Sequence, residues 1–225
     1  MVDVVKITQL LNHYFDIGGN IQIDPITGVV DVRDGGVRLL RDNRIEQLPV
    51  QFGRVDGLFL CSGNQLTTLE GSPQHVGVLF HCDHNKLTDL KGAPAHVGGS
   101  FLCNENQITS LRGAPDHVGG SFQCSGNQLT SLQGAPGHVG GAFDCTRNHL
   151  HTLQGIPDHV GTNMFITYQD QLPMLRLTDY DRVIIRDAPE PVQKIMRKYA
   201  GKGKTHMLNL ALELKQAGYV GNAAW

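Results

Sequence analysis

No stretch of this 225-residue chain approaches the ~20 consecutive apolar residues that a membrane-spanning helix requires. Net charge is nearly absent as well. Nineteen Lys and Arg against 21 Asp and Glu leave −2, too little to draw the whole molecule to nucleic acid or an anionic membrane. The N-terminus, MVDVVKITQLLNHYF, carries an acid and no small-residue cleavage site, which makes a poor secretory signal. A soluble, cytoplasmic protein is expected. The five cysteines are an odd number and do not close a disulfide framework. No Ser-His-Asp set stands clear of the background. Gly203-Lys204-Thr205 has the ending of a phosphate-binding loop, but Lys198 occupies the position that needs glycine, and no strand leads directly into it.

What is present is one phrase written five times between about Phe59 and Pro157. Cys61, Cys82, Cys103, Cys124 and Cys145 stand 21 residues apart. Asn64, Asn85, Asn106, Asn127 and Asn148 keep that spacing, as do Leu69, Leu90, Leu111, Leu132 and Leu153 and Pro73, Pro94, Pro115, Pro136 and Pro157. A fixed period of this length means a solenoid, whose coils stack to bury a shared core. Within one coil, Val118, Gly120, Phe122 and Cys124 alternate with Gly119, Ser121 and Gln123, which predicts one short strand with Val, Phe and Cys inward. Leu129 and Leu132 point back into the coil, and Gly134-Ala135-Pro136 turns the chain.

The pattern F-x-C-x-x-N-x-L-x-x-L, closed by a proline turn, resembles the short bacterial form of the leucine-rich repeat. That resemblance implies an α/β solenoid with a curved parallel sheet and a proline-rich, non-helical back. The longer phrase Asn-Gln-Leu-Thr-Ser-Leu-x-Gly-Ala-Pro-x-x-Val-Gly-Gly is similar to a repeat family common in tailed-phage genomes and some bacteria. So are the coil ending Leu48-Pro49-Val50-Gln51-Phe52-Gly53-Arg54-Val55 and the tail AGKGKTHMLNLALELKQAGYVGNAAW. The resemblance implies the fold and a phage origin, and it carries no activity.

Three regions follow. Residues 1–36 read as an N-terminal cap. Val4, Ile7, Leu10, Leu11 and Tyr14 make a helical stripe stopped by Gly18-Gly19, and Ile21–Ile23 and Val29–Val32 flank a turn as a hairpin. Residues 37–165 hold a degenerate coil, with Asn43, Ile45 and Leu48 at the ladder positions and Leu40 in place of cysteine, and then five regular coils. Residues 166–225 form a C-terminal cap. Leu175–Leu177 and Val183–Ile185 are strand candidates there, and helices are expected over about 190–199 and 205–217. A solenoid's ends expose core and strand edges, so such arrays need caps.

A buried free cysteine behaves as a small apolar residue, so the five thiols read as core packing. The asparagines read as structural, their amides satisfying backbone groups where the chain leaves the strand. The row His75, His96, His117, His138 and His159 follows the proline turns. Zinc wants four convergent ligands and a linear row offers two, so the row is left without a role. His81, Asp83 and His84 form a local cluster too sparse to count as a metal site. Residues 166–225 carry nine Lys or Arg against six Asp or Glu, with Lys194, Arg197, Lys198, Lys202 and Lys204 clustered.

The outward face of the sheet varies where the inward face does not. It grades from Leu58, Leu60, Leu79 and Leu102 to polar residues along the array, and an apolar patch of this kind marks an interaction site. The chain is therefore expected to be a non-enzymatic module that binds a protein through Leu58, Leu60, Leu79, His81, Asp83, Leu102, Asn104, Gln123 and Asp144. The phage resemblance implies a host or defence protein as the partner. One alternative is a self-associating structural or virion component, so a homo-oligomer stays open. A second places nucleic-acid binding or an enzymatic activity on the basic C-terminal cap, although nucleic acid is disfavoured overall. No catalytic residue, cofactor or metal ligand is assigned.

Overall fold

A computed structural model describes residues 2–40, 44–180 and 182–223 of the chain, without the side chains of residues 175, 178 and 204. The 21-residue spacing places equivalent residues beside one another. Phe59 pairs with Phe80, Phe80 with Phe101, Phe101 with Phe122 and Phe122 with Phe143 in parallel register. Their rings stack at 5.1–5.7 Å and all are fully buried. The five thiols and the two leucine or isoleucine positions of each regular coil complete the core. This is a solenoid of stacked parallel strands on a repeat of about 21 residues, the coarse architecture of a leucine-rich repeat.

The alternation over Val118–Cys124 buries Val118, Phe122 and Cys124 as expected, but the run is not one strand. His117–Val118 and Phe122–Gln123 are separate strands in different sheets, divided at Gly119-Gly120. A Cβ on Gly119 would lie 2.0 Å from the carbonyl oxygen of Gly98, so adjacent coils meet at this corner too closely for any side chain. The back of each regular coil thus carries a second sheet as well as the proline turn. At that turn Gly113 takes φ +93°, a conformation that favours glycine.

The larger sheet has nine strands. In spatial order they are Phe15–Ile17, Val37–Leu39, Leu58–Leu60, Leu79–His81, Ser100–Leu102, Phe122–Gln123, Phe143–Asp144, Met164–Thr167 and Val183–Arg186. All neighbours are parallel except the first pair. The second sheet starts with the hairpin Asn20–Ile23 and Val30–Arg33, continues through Phe52–Val55, and then takes one His-Val strand per coil from His75–Val76 to His159–Val160.

The ends are capped as the composition requires, with local differences. The N-terminal helix spans Val4–Tyr14, capped by the Asp3 side chain accepting from Lys6 N–H. It ends before Gly18-Gly19, because Phe15–Ile17 leaves as a strand antiparallel to Val37–Leu39. Phe15 and Phe52 continue the aromatic core to this end, edge-on at 5.2 Å. In the first coil Leu48 is buried and Ile45 packs on the core, but Leu40 is 37% exposed and does not reproduce the thiol position. Asn43 lies outside the described residues.

At the other end Met164 takes the phenylalanine place, paired with Phe143 and with Val183. Leu175–Asp179 is a 3-10 turn and not a strand, since buried Met174 and Leu177, three apart, suit a three-residue period. The cap helices span Glu190–Tyr199 and Met207–Gln216.

Candidate functional site

The outward face of the nine-stranded sheet is set by period 2: each outward residue flanks a buried phenylalanine or cysteine. Leu58 and Leu79 are register neighbours at its apolar end. Leu58 is 39% exposed, while Leu60, Leu79 and Leu102 are half-buried against their neighbours. His81 stands between Leu60 and Leu102 in register. The apolar patch therefore surrounds an imidazole.

From His81 onward the face is linked by hydrogen bonds among side chains and, at Ser125, through the backbone. His81 Nε2 lies 3.1 Å from Asp83 Oδ2. Asp83 accepts from Asn104 twice, from the backbone N–H at 2.7 Å and from Nδ2 at 3.2 Å. Asn104 Nδ2 also donates to Gln123 Oε1 at 3.2 Å, and its Oδ1 accepts from Ser125 N–H at 2.8 Å. Ser125 Oγ and Thr146 Oγ1 are 2.9 Å apart, and Thr146 donates to Asp144 Oδ1. Of the nine residues expected on the face, Asp83, Asn104, Gln123 and Asp144 thus belong to a pre-organised polar surface beside the leucines.

Sequence reading missed the rim of this face. Arg147 and Glu105, two coils apart, form an ion pair, and Arg147 Nε reaches Ser125 Oγ. Between them stands Gly126, where a Cβ would come within 2.6 Å of Glu105 Oε1, so an alanine there would meet the clasp. The available signal was a glycine between two opposite charges at one coil position, Glu105, Gly126 and Arg147.

The five thiols directly follow these strands and are buried in the core, and burial pushes each of them far above the usual thiol range. Cys82, Cys103 and Cys145 donate to the carbonyls of Leu102, Gln123 and Phe165. Native Cys103 should therefore resist thiol reagents and react fast only in denaturant, as timed labelling would show. Cys103→Ser should cost about 1–3 kcal/mol, because a hydroxyl is more costly to bury among apolar neighbours. Rapid native labelling would contradict the buried position.

On the second sheet the histidines are stacked. Ring centroids are 4.6 Å apart for His75–His96, 4.5 Å for His117–His138 and 4.4 Å for His138–His159. Partial burial, with Arg54 and His96 nearby, holds His75 below the usual imidazole range. Burial and the flanking His159 and His117 do the same to His138. Among the described residues, no group of three or more His, Cys, Asp or Glu is placed to hold a metal.

The basic cluster lies on and after the first C-terminal helix. Lys194, Arg197, Lys198 and Lys202 are exposed, and the Lys204 side chain lies outside the described residues. Glu213 answers part of this charge. It pairs with Lys198, which holds its carboxyl below the usual range, and it accepts from Tyr199 Oη at 2.8 Å. An open cleft of about 440 Å³ runs beside them, lined by Lys198, Tyr199, Lys202, His206, Asn209 and Glu213. Among the described residues no helix is long and apolar enough to cross a membrane. Comparison with protein-family models, with curated proteins and with solved structures returned no match.

Proposed function

We propose that this chain is a non-enzymatic protein-interaction module that binds its partner through the outward face of the nine-stranded sheet. The observation that carries the reading is the join of two surfaces. Leu58, Leu60, Leu79 and Leu102 supply apolar area around His81, and the network from Asp83 to Asp144 holds its polar groups in fixed positions. Desolvating apolar anchors contributes affinity, and pre-set polar groups contribute specificity at small ordering cost. The repeat's resemblance to tailed-phage proteins makes a host or defence protein the partner we favour, met in the cytoplasm of an infected bacterium.

The test is capture from infected-host lysate with the parent chain, Leu58→Asp and Leu102→Asp. Leu58 is exposed, so its variant should hardly move the melting curve; Leu102 is half-buried, and its variant should lower the midpoint modestly without unfolding the chain. A desolvated anchor contributes about 2 kcal/mol or more, so binding should weaken roughly thirtyfold or beyond. Gln128→Asp, exposed outside the sheet face, should change little. Undiminished capture by folded leucine variants would move the site elsewhere. A parent that captures nothing and elutes as an oligomer, with the leucine variants monomeric, would support self-association.

A further inference from the structure

The second sheet presents a feature that the protein-binding face leaves unused. Each regular coil contributes one His-Val strand in which valine packs inward and histidine points away from the core. Parallel register sets His75 beside His96, and His117, His138 and His159 in succession. Register also runs on from Val97 to Val118, but among the described residues the rings stack only as a pair and a triple, with interplanar angles of 9–13°. On one side of the row runs the glycine corner, where Gly98, Gly119, Gly140 and Gly161 each lie too close to the preceding coil to carry a side chain. On the other side Gly137 separates Asp116 from Asp158, and Asp158 Oδ2 lies 3.9 Å from where a Cβ on Gly137 would stand. The corner flank is therefore bare along the row, while on the other flank only Gly137 is bare and Asp116 and Asp158 stand beside His117 and His159.

We propose that this row is a binding site for divalent transition-metal ions, each ion held by the ring nitrogens of two neighbouring histidines and completed by water. Imidazole nitrogen is a ligand of choice for zinc, copper and nickel. Metal–nitrogen bonds of about 2.0–2.1 Å need two cis nitrogens roughly 3 Å apart. The rings stand nearly parallel at 4.4–4.6 Å, so each pair must rotate about its side-chain torsions out of the stack for two nitrogens to converge on one ion. Two protein ligands leave open coordination positions, so the ion stays exchangeable and open to a further donor, unlike a closed four-ligand structural zinc. The grouping fixes the capacity: one ion on His75–His96 and one on the triple, where His138 is shared and only one pair can close at a time.

Equilibrium dialysis of the full chain against nickel at neutral pH tests this, using the parent, His117→Gln, His138→Gln and the double variant His96→Gln/His138→Gln. Retention of the parent melting curve confirms that each variant is folded. His117→Gln leaves both sites, because His138–His159 remains. His138→Gln loses one ion, since His117 and His159 are no longer neighbours. The double variant loses both, although three histidines of the row are still present. Nickel bound by the double variant in proportion to those three rings, or equal loss in His117→Gln and His138→Gln, would overturn the paired-ring assignment.

Discussion

Asn127→Ala should lower the unfolding free energy by about 2–4 kcal/mol, a large effect for a side chain without charge. The Asn127 amide nitrogen donates to the carbonyls of Cys103, Cys124 and Ser125 at 3.0, 3.0 and 3.4 Å, and its oxygen accepts from Ile108 N–H at 3.0 Å. One side chain thereby joins its own coil to the coil before it. Alanine leaves the buried Ile108 N–H without its acceptor, and an orphaned buried donor costs about 1–3 kcal/mol before lost packing is counted. Asn64 supplies the internal control. Its oxygen has no partner among the described residues, and its amide bonds are longer, 3.3 and 3.4 Å. Asn64→Ala should cost clearly less. Urea midpoints at constant m-value decide the matter, and equal shifts for the two variants would remove the amide ladder as the reason.

Deleting residues 190–225 should abolish cooperative unfolding and produce aggregation. Both C-terminal helices bury their apolar stripes in the core: Val192, Met196 and Tyr199 on the first, Leu210, Ala211 and Leu214 on the second. Removing them strips cover from the buried first part of the cap, Leu172, Met174 and Leu177, which closes the last coil. A solenoid without its end cap presents that surface to a second copy. The segment is also stapled by the fully buried Asn222, whose amide donates to the carbonyls of Gln169 and Leu172 and whose oxygen accepts from Tyr168 Oη. Asn222→Ala should therefore loosen the cap alone, seen as faster amide exchange in the cap helices before the coils. A truncated chain that stays soluble with an unchanged melt would make the segment an independent appendage.

Periodicity alone determined the solenoid, because a strict 21-residue spacing leaves equivalent residues no better arrangement than to stack. The buried Phe, Cys and Leu columns, the amide ladder, the first helix, the hairpin and both C-terminal helices follow from local pattern. So does the outward placing of Leu58, Leu60 and Leu102, since alternation sets which face a residue takes. Only the tertiary structure decided that the run from Val118 to Cys124 bends. Inward and outward residues alternate through the Gly119-Gly120 corner as they would through a straight strand. The difference lies in the approach of the neighbouring coil, whose Gly98 carbonyl leaves no room for a Cβ. The same closeness put the histidines on a second sheet with their rings in contact. Phe15–Ile17 likewise became a strand only because Val37–Leu39 offered an edge to pair with. The network from His81 to Arg147 and the Asn222 staple join residues from different coils or from distant parts of the chain, so their partners are set by packing and not by any local pattern.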